Sequence, residues 1–253
     1  MVTWRVTDLA QNTVRALRVL TDAARPHAAA LELAASRQRS VVHPNRLHPL
    51  ATVTIDGAPA VLTEFVTGPT LATWLRVRKR SPDDVLAVFR DVVLGVAAGN
   101  HTGEVHRVIE PTAVWMQSRR GRFVPKVDLA IGPVYAGMGL GPPGDARVDV
   151  YALGALLFEM FAARPIDPPP TGLTARLTSW TPGLAAARPD LPPEVVALVD
   201  ALTAVEPTRR PADADAVLSW LDRGTPPPQL EARPVGVAAR SLGSVVGWLR
   251  SLR

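Results

Sequence analysis

The apolar pattern of the chain changes at Gly68-Pro69, and this change restricts the fold more than any other feature. Before it, residues 13–20 (TVRALRVL), 51–56 and 60–66 are rich in β-branched and alternating apolar side chains and read as strands. The last two are separated by the turn dipeptide Asp56-Gly57, which makes them a hairpin. Between the first strand and the hairpin lies HAAALELAASRQRSVV, a run of helix formers bounded by Pro26 and Pro44. After the break, residues 71–77 and 82–98 carry helical periodicity, and Ser81, Pro82 and two aspartates open the second as a helix start should. Residues 114–117 and 122–127 read as a short strand pair turning at 118–121. Residues 146–162, 192–204 and 212–222 read as helices. The expected class is α+β, a small sheet with one helix followed by a mainly helical region.

With 253 residues and 47% apolar content, the chain has room for a real core in one large or two small domains. It has no cysteine, which excludes disulfides, thiolate metal sites and a cysteine nucleophile and suits a reducing cytoplasm. Of its 28 basic residues only Lys79 and Lys126 are lysine. The net charge of +5 is spread along the chain, so no nucleic-acid partner is expected. The N-terminus lacks the apolar run of a signal peptide. The longest apolar stretch, 150–163, is interrupted by Glu159 and falls short of the ~20 residues that span a bilayer.

Residues 223–234, RGTPPPQLEARP, read as a stiff linker. Residues 235–253 then read as an amphipathic helix, with Val235, Leu242, Val246 and Leu249 on one side and Arg240 and Arg250 on the other. Three roles stay open for this tail: peripheral contact with an anionic membrane through Trp248 and its arginines, insertion into a partner's groove, and packing on its own helical region. Three other signals favour ordinary structure. The run GLGPPG at 139–144 has two prolines where a phosphate cradle needs N–H donors. His43 and His48 each neighbour a proline and have no further ligands apparent, so no metal is expected. RVRKR at 76–80 reads as a solvated helix end.

Four segments, in order, carry a family resemblance: EFVTGPTL (64–71), GEVHRVIEPTAV (103–114), DARVDVYALGALLFEMFAARP (145–165) and EPTRRPADADAVLSWL (206–221). They resemble, respectively, the hinge, catalytic loop, central helix and closing helices of bacterial Hanks-type serine/threonine protein kinases. The resemblance implies a bilobal kinase-like fold. It places a truncated small lobe at 1–68, lacking the glycine-rich loop, and a large lobe at 69–222 with a shortened activation segment.

The family's catalytic loop reads H-R-D-x-K-P-x-N, and the resemblance locates its reactive groups here. Its general base falls on Val108, its phosphate-binding lysine on Glu110 and its metal-binding asparagine on Ala113. Valine accepts no proton and alanine offers a hard cation no oxygen. The nucleotide-binding lysine of the small lobe falls on Arg18, and its helix partner on Ala34, with Glu32 nearby. The D-F-G aspartate falls on Asp128, expected to be a lone, partly exposed carboxylate, followed by Leu129 and Ala130. Glu64 and Val66 mark the hinge, whose backbone is where an adenine-like ring would sit. His106, Arg107 and Asp149 match positions that brace the catalytic loop. Arg210 matches an arginine whose glutamate partner is missing, so it must find another partner or face water. The implied function is a catalytically inactive pseudokinase, a regulatory or scaffolding module binding a protein partner, with no catalytic residue, metal or cofactor. The alternatives are an atypical kinase that binds ATP with displaced catalytic groups, and a membrane adaptor acting through residues 235–253. An arginine-rich, lysine-poor composition fits a high-GC bacterial source.

Overall fold

A computed structural model of the protein describes residues 2–20, 28–106, 109–128, 145–166 and 183–224. The chain opens with two strands, β1 (Val2–Asp8) and β2 (Thr13–Val19). Helix α1 (Ala28–Arg39) follows, then the hairpin β3 (Pro49–Ile55) and β4 (Ala58–Glu64). These form one antiparallel sheet in the order β1-β2-β4-β3. Asp56 and Gly57 at the hairpin both have positive φ, 49° and 75°, the backbone twist that a two-residue turn needs to match twisted strands. β4 lies inside the sheet and carries its deepest residues, Val61 and Thr63.

The sheet has one more strand than the sequence pattern indicated. β1 lies at an edge and is exposed along most of its length, including Val2 and Trp4, so it lacks the alternation that one buried face would impose. Its register against β2, Trp4 opposite Leu17 and Thr3 opposite Arg18, places Arg18 between two strands, with Val61 of β4 on the other side.

After Glu64 a short connection leads to α2 (Leu71–Val77) and the long α3 (Pro82–Asn100). The Ser81 side chain caps α3 by accepting from the Asp84 N–H, with Asp83 and Asp84 in the positive first turn. Strands β5 (Val114–Arg119) and β6 (Arg122–Val127) form a second hairpin. The remaining described helices are α4 (Arg147–Ala162), α5 (Leu184–Ala187), α6 (Pro193–Leu202) and α7 (Ala214–Arg223). Phe89, Val92, Leu153, Leu157, Leu202 and Val217 form the centre of the helical core, where α3 packs on α7 and α4 on α6. Arg80 binds the Trp74 carbonyl at 2.7 Å and stacks 3.8 Å from the Trp74 ring centre, so at least this cation of the basic run closes the end of α2.

α7 ends at Gly224 in the left-handed region, φ 69°, so Arg223 belongs to the helix and not to the linker expected to begin there. The rest of that linker, the tail at 235–253, the GLGPPG run and the shortened activation segment lie outside the described residues. Among the described residues no helix is long and apolar enough to cross a membrane.

Candidate functional site: the cleft between the sheet and the helical region

Close backbone approach seats the sheet on the helical region. Gly95 and Gly99 of α3 leave room for the Asn45 carbonyl and the Arg46 guanidinium, and a Cβ at either glycine would collide with them. Asn45 and Leu47 exchange backbone hydrogen bonds with Val127 of β6 at 2.8 and 2.9 Å. Buried Arg46 pairs with Glu104 at 2.6 Å, and Gln38 of α1 donates to the same carboxylate at 2.7 Å. Glu104 therefore ties α1 to the loop after α3. Its place just before the His106 motif was the only sequence signal for it.

Two more ion pairs cross from the sheet. Glu64 at the end of β4 meets Lys126 of β6 at 2.9 Å and also accepts from the His48 N–H at 3.0 Å. Arg18 forms an ion pair with Asp128, and both side chains are almost wholly buried. The Arg18 guanidinium also lies 5.6 Å from the ring centre of Trp115 on β5. Burial pushes the guanidinium down to about 10, far enough above neutral pH to leave it charged. Asp128 is thus not the partly exposed carboxylate expected: it is 1% exposed and faces a cation. Glu32 is exposed, so the helix partner sought for Arg18 is replaced by a residue 110 positions away.

Beneath this pair the loop framework is dense. The Asp128 N–H donates to the Ala113 carbonyl at 2.8 Å, and the His106 Nε2–H donates to the Asp128 carbonyl at 2.8 Å. Burial holds the His106 imidazole below its ordinary pKa. Asp149, fully buried near the start of α4, accepts from the His106 backbone N–H and from Asn100 Nδ2, each at 3.0 Å. Arg107 and Val108 lie outside the described residues. Ala113 is buried and brings only a methyl group. Glu110 is exposed and accepts from the Thr112 hydroxyl at 2.5 Å. Its charge adds to the burial that raises the Glu159 carboxyl on α4.

Val66 is buried in the connection between β4 and α2, and the Glu64 carbonyl accepts from the Thr63 hydroxyl at 3.0 Å. Arg210 lies away from the cleft and donates to the carbonyls of Ala204, Arg147 and Val205 at 2.7, 3.1 and 3.3 Å. Its guanidinium also stacks 4.8 Å from the Tyr151 ring centre. Its hydrogen bonds go to main-chain carbonyls, while the charges of Asp145 and Glu206 act on it through space against the burial that lowers it. Among the described residues no group of three metal-ligating side chains comes together.

An antiparallel sheet with one helix, joined through a short connection to a helical region that carries a two-stranded hairpin, is a protein kinase-like fold. The kinase domain of Mycobacterium tuberculosis PknI superimposes with a TM-score of 0.68 over 86% of this chain and 88% of that one, at 20% identity. That likeness is one of fold. In sequence, the chain is 30% identical over 183 residues to the M. tuberculosis serine/threonine-protein kinase PknL and 27% identical over 166 residues to the Myxococcus xanthus serine/threonine-protein kinase Pkn1. These matches take in 63% and 54% of this chain but 45% and 22% of the relatives, so it spans less than half the length of either. No protein-family model matches. The chain is a distant homologue of bacterial serine/threonine protein kinases.

Proposed function

We propose that this protein is a catalytically inactive kinase-like module that regulates or scaffolds by binding another protein. The observation that carries the reading is the buried Arg18–Asp128 pair. Phosphoryl transfer needs a free cation for the nucleotide phosphates and free oxygen ligands for magnesium. Here the cation and the carboxylate at those positions neutralise each other. The side chain at the second metal position, Ala113, has no oxygen, and the sequence places Val108 where the base belongs. Loss of a general base alone costs ~100- to 10,000-fold in rate.

The framework argues for a retained role in recognition. Asp149, His106 and Asn100 still hold the loop after α3, so the internal bracing of a kinase-like body is kept at positions where the reactive groups are replaced. The test is incubation with labelled ATP and magnesium, with and without a generic protein acceptor, beside a melting curve at millimolar nucleotide. No incorporation and no melting shift are expected. Labelling that Asp128→Ala abolishes would overturn the reading.

A further inference from the structure

Arg18 stands near the end of β2, whose strand partners among the described residues are β1 and β4. The backbone bonds of Asn45 and Leu47 to Val127 lie elsewhere, and so does the connection after Glu64. Its links to the helical region are made by its side chain, to Asp128 and the Trp115 ring. Asp128 is itself rigidly held, by its N–H on Ala113 and its carbonyl on His106. Parting the anchored strand from the anchored loop gives up the attraction between the two charges, and sliding one past the other inside the fold leaves each unpaired in a low-dielectric surrounding.

We infer that the Arg18–Asp128 pair is a built-in strut that fixes the sheet against the helical region without any ligand, so that the cleft is held in one closed arrangement at all times. Glu64–Lys126 and Gln38–Glu104 act in parallel at the end of β4 and on α1. The strut accounts for how a cleft can keep a single shape with no bound molecule, and it would operate whatever partner the protein has. A failed phosphorylation or partner assay therefore leaves it standing.

Hydrogen exchange on the full chain, without ligand, tests it. The boundary amides are those of Leu47, Met116 and Val127, and the interior reference amides are those of α3 and β4. Asp128→Asn removes the counter-charge, and Arg18→Lys keeps the charge but shortens the reach and loses the planar fork. Boundary exchange should accelerate ten-fold or more in Asp128→Asn and about three-fold or more in Arg18→Lys, with the interior rates unchanged. Should Asp128→Asn fail to fold, Arg18→Lys decides alone. Unchanged boundary rates in Arg18→Lys, or an equal rise in boundary and interior, would overturn the strut.

Discussion

Two arginines of this protein are buried where the kinase resemblance offers neither its usual partner, and they are accommodated differently. In the cleft, Arg18 is matched by a full opposite charge, Asp128. At the base of α4, Arg210 is held by hydrogen bonds to three backbone carbonyls and by the Tyr151 ring, with the charges of Asp145 and Glu206 acting on it only through space. A charge held by a charge depends on one residue, and removing that residue leaves a bare ion in a low-dielectric interior. A charge held by dipoles depends on no single side chain, because the carbonyls belong to the backbone. The cleft is therefore the place where one substitution does most harm, and the base of α4 is buffered against change in its surroundings.

The largest effect should come from breaking the cleft pair on one side. Asp128→Ala leaves Arg18 buried without its counter-ion and should cost about 3–5 kcal/mol, a drop in melting temperature on the order of 10 °C. Replacing both partners with apolar residues, Arg18→Met with Asp128→Leu, should recover most of that loss in urea denaturation. A double variant as unstable as Asp128→Ala would show that the damage lies in lost shape and not in a stranded charge. The next effect is at Arg210, where Arg210→Met removes the donor from three carbonyls. It should cost about 2–3 kcal/mol by the same urea measurement. No apolar partner substitution rescues it, since the groups left unsatisfied are main-chain.

The order and type of most elements were legible in the sequence because local chemistry dictates them. Ser81-Pro82 with two aspartates fixes the start of α3, and Asp56-Gly57 fixes a hairpin. β1 is not legible in the sequence, since an edge strand exposed along most of its length carries no period that marks it as one. The candidate site is legible as a set of residue types at family-like positions, Arg18 and Asp128 among them. That they would meet is not, because the contact joins residues 18 and 128 through tertiary packing and leaves no mark on either local pattern. The same holds for Glu104, whose partners Gln38 and Arg46 come from α1 and the loop beyond it.

Asp149 sharpens the comparison from the acidic side. It is a buried carboxylate satisfied by N–H donors from His106 and Asn100. Asp149→Asn keeps one acceptor oxygen but gives up the charge assistance of both bonds. A loss of about 1–2 kcal/mol is expected, together with faster exchange of the His106 amide.

The smallest effect should appear at Asp200 on α6, a half-buried carboxyl whose Oδ1 has no hydrogen-bond partner among the described residues. Burial pushes it up to about 6 from an ordinary 3.8. The native state then holds a proton that the unfolded chain has released. Below the ordinary value both states are protonated and the group is neutral toward stability. As pH rises from about 4 through about 6 its contribution turns unfavourable, and above that range the cost is complete. The full shift would correspond to about 3 kcal/mol, and solvent screening at a part-exposed position reduces this to about 1 kcal/mol. Asp200→Asn should therefore raise the melting temperature by roughly 2–4 °C at pH 8 and leave it nearly unchanged at pH 4. An equal gain at both pH values would mean that the carboxyl is not titrating in the fold. Asp200 would then have solvated its charge, and a buried ion in this protein would not need either of the solutions seen at Arg18 and Arg210.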